Sequence, residues 1–91
     1  MSIAEINVTI TNRVGLHARP ARLLVQTAAR FQSQIQLRCG DKATNAKSIV
    51  GVLKLGAVMG DTLLLRAEGE DAEQALDALT NLALRKFDEQ E

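Results

Sequence analysis

The change of hydrophobic period near the N-terminus constrains the fold of this chain most strongly. Apolar residues first alternate with polar ones, as in a strand with one buried face, at Ile6, Val8 and Ile10. They then recur at the spacing of a helix with one buried side, at Ala21, Leu24, Val25 and Ala28. Proline is costly in the interior of a helix but tolerated in its first turn. Pro20 therefore predicts a helix that begins within a residue or two of His17 and runs to about Arg30.

Three more stretches alternate in the manner of strands. A second strand is predicted over residues 34–39, and a short edge strand over residues 42–44 follows the turn signal Gly40–Asp41. A fourth strand is predicted over residues 62–67. Their alternating apolar residues are Ile35, Leu37, Cys39, Leu63, Leu65 and Ala67.

The apolar run from Ser48 to Leu55 is short enough to be either a helix or a strand. We favour a short helix, because serine is a good N-cap and Gly56 provides a C-terminal stop. Asn45 to Lys47 would then form a loop that leads into this helix.

A last helix is predicted near the C-terminus. Asp71 and Gln74 have the spacing of a capping box, and apolar residues continue at helical spacing to about Lys86. The tail from Asp88 to Glu91 is predicted to fray.

This order of elements predicts an α+β fold. Four short strands cannot cover amphipathic helices on both faces of a sheet. The simplest arrangement is an antiparallel sheet with the helices on one face, in the order β-α-β-β-α-β-α, and the other face in solvent. With 91 residues and no linker or repeat, we expect residues 1–91 to form one domain.

Composition excludes several classes of function. The chain carries 11 basic and 11 acidic residues and no Trp or Tyr, so neither a basic field nor stacking platforms point to nucleic acid. A metal site is disfavoured, because one histidine and one cysteine are few ligands to complete a set, and we expect Cys39 to face the core. No signal peptide or membrane-spanning run is visible, so we expect a cytoplasmic protein that does not insert into membranes.

His17 is the residue to which local chemistry points. The start of a helix presents unpaired N–H groups and a partial positive charge, and so attracts anions. Arg19 adds a planar cation that can bind phosphate oxygens, and a neutral imidazole is a nucleophile able to carry a phosphoryl group. On these features alone, a polar surface or capping histidine is the more frequent explanation, so both interpretations stay open.

Two motifs resemble one known family. The segment Gly15–Ala21, GLHARPA, closely resembles the active-centre motif of HPr, the histidine-containing phosphocarrier of the bacterial phosphotransferase system. The segment Lys47–Val52, KSIVGV, with Leu55–Gly56, is similar to the regulatory-serine region of that family. The spacing of the two motifs fits, and the resemblance covers essentially the whole chain.

The resemblance implies an open-faced β-sandwich and a stoichiometric carrier that is not an enzyme and needs no cofactor. Enzyme I would pass a phosphoryl group to Nδ1 of His17, and enzyme IIA domains would collect it for sugar uptake. Arg19 and the backbone N–H groups of Ala18 and Arg19 would hold the phosphoryl group. We expect a monomer whose docking surface includes Arg22, Ile49, Val50 and Leu53, although the last three could instead belong to the core.

The family also implies regulation at Ser48. A kinase/phosphorylase would phosphorylate this serine and change docking to enzyme I, and a transcriptional regulator would be a further partner. The alternative is that Ser48 only caps the short helix. The chain departs from the family at Val14, where a polar residue is frequent, and at Gln26 and Ala29, where some members are basic.

Three other functions remain open. The chain could be a regulatory binding module of the same fold, although such a module would not need His17. It could instead carry phosphoryl groups in a nitrogen-related or dihydroxyacetone-related phosphorelay, or bind a small ligand without covalent chemistry.

Overall fold

The computed structural model describes residues 2–88, and its elements follow the predicted order. The strands are β1 (Ser2–Thr9), β2 (Gln34–Cys39), β3 (Lys42–Asn45) and β4 (Thr62–Gly69). The helices are α1 (Arg19–Ala28), α2 (Ile49–Leu55) and α3 (Ala72–Leu84), and α3 is followed by a short turn, Lys86–Asp88. The apolar run before Gly56 is therefore the helix that we favoured.

The four strands form one antiparallel sheet in the order β1-β4-β2-β3. Strand β4 lies in the middle, with Leu65 opposite both Ile6 of β1 and Leu37 of β2. The predicted α+β fold, an open four-stranded sheet with three helices, is confirmed. The short strand β3 lies at one edge, as its length suggested.

The hydrophobic core lies between the sheet and the helices and is almost entirely aliphatic. The central strands contribute Ile35, Leu37, Leu63, Leu65 and Ala67, and the helices contribute Ala21, Leu24, Ala28, Val52, Leu55, Ala72, Ala75, Leu76, Leu79, Leu82 and Ala83. Strand β1 is buried less than its pattern suggested, since Ile6 is 39% exposed. Because β1 is the other edge of the sheet, neighbours cover its apolar face on one side only.

The predicted capping box at the start of α3 is wrong. Asp71 occupies the N-cap position, but its side chain makes no capping hydrogen bond. Its carboxylate instead accepts hydrogen bonds from the N–H of Gln32 at 2.8 Å and from the N–H and hydroxyl of Ser33 at 2.9 and 2.5 Å. The side chain therefore ties α3 to the segment between α1 and β2.

The C-terminal end differs from the prediction as well. Helix α3 stops at Leu84, and the next residues turn with positive φ, which places the Phe87 ring in the core. The turn closes through a hydrogen bond from the N–H of Asp88 to the Arg85 carbonyl, and through an ion pair between these two side chains. The rest of the tail predicted to fray, residues 89–91, lies outside the described residues. Within residues 2–88, no helix has the length and hydrophobicity needed to span a bilayer.

Candidate functional site

The segment that leads into α1 is fastened to the loop before β4. The N–H of Ile10 donates to the Asp61 carbonyl at 2.9 Å, and the N–H of Leu16 donates to the Ala57 carbonyl at 3.0 Å. Gly15 has a φ of +64° and touches the backbone of this loop so closely that a Cβ atom would overlap the Ala57 carbonyl oxygen. Two non-adjacent stretches of chain therefore fix the position of the residue before His17.

His17 itself is exposed at the entrance to α1. Ala18, the N-cap residue, has φ 51° and ψ −118° and provides no side-chain cap, while its carbonyl accepts the first helical hydrogen bond, from the N–H of Arg22. Such a conformation costs a residue with a Cβ atom on the order of 1–3 kcal/mol. Pro20 lies in the first turn, as predicted, and it is buried. The first turn of α1 therefore begins beside His17 without a side-chain cap from its N-cap residue.

The electrostatics of this end of α1 favour an anion. The first turn contains no acidic residue. Arg19 and Arg22 are both exposed, and within residues 2–88 neither forms an ion pair with a carboxylate. Unpaired backbone N–H groups, the helix dipole and a free guanidinium thus act together next to an exposed imidazole. This arrangement can hold a phosphoryl group without a deep pocket.

Ser48 caps α2, as predicted. Its hydroxyl oxygen accepts a hydrogen bond from the N–H of Gly51 at 3.1 Å, and Gly56 ends the helix with a φ of 63°. Gly51 itself is needed where it lies, since a Cβ atom there would overlap the Thr44 hydroxyl. The cap does not distinguish a structural serine from a regulated one, because both occupy the same position.

The three residues of α2 that we assigned to docking are all exposed. Val50 is 58% exposed, and Ile49 and Leu53 are each 40% exposed, so the alternative that they belong to the core is wrong. Close to the two motifs in sequence, the structure also exposes the apolar side chains of Val14, Val58 and Met59, which sequence reasoning missed. Apolar residues inside a turn bounded by Gly56 and Gly60 were the available signal for the last two.

Ser48 and the His17 segment lie at opposite ends of α2. The chain just after α2 bonds to the His17 segment through Ala57 and Leu16. At the other end, Lys47 Nζ donates to the carbonyl of Phe31, beyond the C-terminus of α1, at 2.7 Å. Ser48 is thus about one length of α2, on the order of 10 Å, from the His17 segment.

Cys39 does not resemble a reactive thiol. It is half-buried, and its Sγ lies 3.8 Å from Oδ2 of Asp61, which also accepts the N–H of Val58. Burial, with the neighbouring Asp61 carboxylate, raises the pKa of the Cys39 thiol above 9.0. No group of three or more His, Cys, Asp and Glu within residues 2–88 could hold a metal ion.

The fold and the site define a class: a small open-faced α+β domain that presents one histidine at the bare start of a helix. A family model, described as "PTS HPr component phosphorylation site", matches residues 4–84. The chain therefore belongs to the HPr family of phosphocarrier proteins, as the two motifs indicated.

Two relatives, one named HPr and one named NPr, are similar to this chain over nearly their whole length. Phosphocarrier protein HPr of Xylella fastidiosa is 44% identical over 93% of this chain and 96% of its own. Phosphocarrier protein NPr of Shewanella violacea is also 44% identical, over 98% of both.

Two solved structures from Thermoanaerobacter tengcongensis share the fold. HPr-C-His matches with a TM-score of 0.93 at 48% identity, over 97% of this chain and 99% of its own. An HPr dimer matches with a TM-score of 0.77 at 49% identity, over 94% and 99%.

Proposed function

We propose that this phosphocarrier accepts its phosphoryl group on Nδ1 of His17 from phospho-enzyme I and passes it to enzyme IIA domains in the cytoplasm. The observation that carries the proposal is an exposed imidazole beside the uncovered first turn of α1. The Nδ1 lone pair forms a bond to phosphorus while the bond to the donor atom breaks, and the ring proton stays on Nε2. The reverse exchange delivers the group to the next protein, so the chain is a carrier rather than an enzyme and needs no cofactor.

Arg19 stabilises the phosphoryl group in this proposal, and the N–H groups of Ala18 and Arg19 donate to its oxygens. The guanidinium is exposed and has no carboxylate partner among the described residues. Replacing Arg19 by Ala should therefore slow transfer at least about tenfold, in line with the loss of one preorganised donor. The midpoint of urea unfolding should stay the same; a lower midpoint would instead make Arg19 a structural residue.

One experiment tests the carrier function directly. The chain is incubated with enzyme I and phosphoenolpyruvate, and the product is examined for a phosphate that is labile in acid and stable in base. We expect this label in the native chain and none in His17→Ala, which should remain folded because His17 is exposed. An unlabelled native chain would refute the proposal, and a label that survives in His17→Ala would place the phosphate elsewhere.

Regulation at Ser48 forms a second part of the proposal. A kinase/phosphorylase would add a phosphate at the N-terminus of α2, where negative charge is tolerated, so the fold persists. The added charge lies at one end of the exposed surface of Ile49, Val50 and Leu53. This surface and Arg22 would together form the docking site for enzyme I. The same modification would favour binding of a transcriptional regulator.

Treatment with the kinase and ATP should give an acid-stable adduct that is absent in Ser48→Ala. Loss of the cap should cost this variant about 1 kcal/mol of stability, without a change in its rate of phosphorylation by enzyme I. An adduct that persists in Ser48→Ala would mean that another residue is modified.

A carrier in a different phosphorelay is the second candidate function. The observation that favours it is that relatives named HPr and NPr are equally similar, at 44% identity. Phosphorylation rates with enzyme I of the sugar system and with its paralogue from a nitrogen-related relay, measured side by side, decide between them. In both cases we propose that the carrier acts as a monomer. A measurement of its native mass during transfer tests this.

A further inference from the structure

Asn12 is a polar residue with no solvent exposure, three residues before Gly15 of the His17 segment. Asn12 and Ser33 are the buried polar side chains within residues 2–88. Ser33 is explained by its bonds to Asp71, at the far end of α1. Asn12 belongs to neither motif described above, and burial of a carboxamide is unfavourable unless its polar groups are used.

The side chain of Asn12 closes the turn that precedes His17. Its Nδ2 donates to the carbonyl of Gly15 at 2.9 Å, and the N–H of Gly15 donates back to the Asn12 carbonyl at a longer 3.3 Å. The shorter bond is thus made by the side chain, so the backbone bond alone would leave the turn weakly closed. Oδ1 of Asn12 is also buried and has no partner among the described residues, a cost that packing alone does not explain.

The closed turn connects directly to the strained entrance of α1. The carbonyl of Gly15 that Asn12 holds belongs to the same peptide unit as the N–H of Leu16, which bonds to Ala57. Both polar groups of this peptide unit, the carbonyl and the N–H, are therefore held by hydrogen bonds. Two residues later, Ala18 has the disfavoured φ of 51°. Such a conformation persists only where the surrounding structure enforces it.

We propose that Asn12 is a positioning residue for phosphoryl transfer: its amide holds the Gly15–Leu16 peptide so that His17 faces the uncovered first turn of α1. The inference rests on the proposed function of His17 and adds a residue that never touches the phosphoryl group. Without the amide, Ala18 relaxes from its disfavoured conformation and the backbone that carries the imidazole loses its fixed position. Small displacements of a reacting group are sufficient to slow a reaction by orders of magnitude.

The test compares Asn12→Leu, which keeps the volume but cannot donate, with Asn12→Ala. The matched control is Ser33→Ala, which removes a buried polar group at the other end of α1. We expect both Asn12 variants to lower kcat for phosphorylation by enzyme I about tenfold or more, with KM unchanged because the docking surface is intact. Ser33→Ala should lose stability and keep its kcat. Equal kcat values in the native chain and Asn12→Leu overturn the inference.

A second substitution separates positioning from a general loss of stability. Ala18→Gly removes the conformational penalty at the N-cap, since glycine adopts positive φ readily. The Asn12→Leu change should therefore cost at least threefold less in kcat when Ala18→Gly is also present. The same loss of kcat in both backgrounds would refute the link between Asn12 and Ala18.

Amide exchange keeps this inference distinguishable from the carrier function. In Asn12→Leu, the N–H of Leu16 should exchange at least about tenfold faster than in Ser33→Ala, whether or not His17 is phosphorylated. An unlabelled native chain refutes the carrier function alone, and unchanged exchange at Leu16 refutes the role of Asn12 alone.

Discussion

The contact between Gly15 and the loop before β4 gives a sharp test of how the His17 segment is held. Gly15→Ala introduces a methyl group at a φ of +64°, where it would overlap the Ala57 carbonyl oxygen and lie 2.7 Å from Cα of Val58. Both neighbours are backbone atoms and cannot rotate away. The Ala57 carbonyl also accepts the N–H of Leu16, so a displaced carbonyl weakens that hydrogen bond as well.

Three terms set the magnitude. A left-handed backbone conformation costs alanine about 1–2 kcal/mol relative to glycine. Forcing an extra methyl group into a closely packed place costs about 1–3 kcal/mol more. The smaller entropy of the unfolded chain returns about 0.4–1 kcal/mol. The net loss for Gly15→Ala should be about 1–5 kcal/mol, or about 3 kcal/mol at mid-range, and each kcal/mol lowers Tm by roughly 4–8 °C in a domain of this size.

Gly40→Ala is the matched control. Gly40 has nearly the same φ, +63°, but a Cβ atom there would meet nothing within 4 Å. It carries the conformational and entropic terms without the overlap, so its loss should be about 1 kcal/mol or less. Urea unfolding of both variants measures the difference between their losses of stability. This difference is the contribution of the contact with residues 57–58.

Equal losses in the two variants would refute this reasoning, because the close contact would then contribute nothing. Phosphorylation of His17 gives a second readout. It should slow in Gly15→Ala and be unchanged in Gly40→Ala, which lies in the turn between β2 and β3.

Two further predictions concern the links that only the folded chain contains. Hydrogen bonds from the Ser33 hydroxyl and then from the N–H of Gln32 lower the pKa of Asp71 from 3.8, so its stabilising effect is complete above that pH and is lost as pH falls through the lower folded value. The native chain should therefore lose more stability than Asp71→Asn between pH 6 and pH 2, measured by urea midpoints; equal losses would contradict this. Phe87→Ala should lower the free energy of unfolding by about 3–5 kcal/mol, because the ring is buried. A loss below about 1 kcal/mol in urea unfolding would show that the buried ring does not anchor the turn after α3.

Much of the fold could be predicted from local pattern. The changes of period between two and 3.6 residues predicted the order of the elements, and Pro20, Ser48 and Gly56 predicted helix ends that the structure confirms. These features succeed because each depends on backbone geometry within a few residues. The candidate site depends on an equally local signal, since His17 and Arg19 need only the first turn of one helix, and their roles in transfer stay predictions.

The predictions that failed depended on contacts between distant parts of the chain. The pattern of Ile6 indicates an apolar face, but its exposure follows from the position of β1 at the edge of the sheet. Asp71 has the spacing of a capping box, yet its carboxylate accepts hydrogen bonds from N–H groups 38 and 39 residues away. Hydrogen bonds of such long range leave no periodic signal in the sequence.

The sequence by itself indicated the residue available for chemistry, which is the single histidine at the start of α1. It also contained the family motif around that histidine. Only the tertiary structure decided how that residue is held. Asn12 looks like any residue of a turn until burial gives its amide one partner, the carbonyl of Gly15. The separation of Ser48 from the His17 segment by the length of α2 follows from how two helices meet, because side-chain type does not encode which helix ends become neighbours.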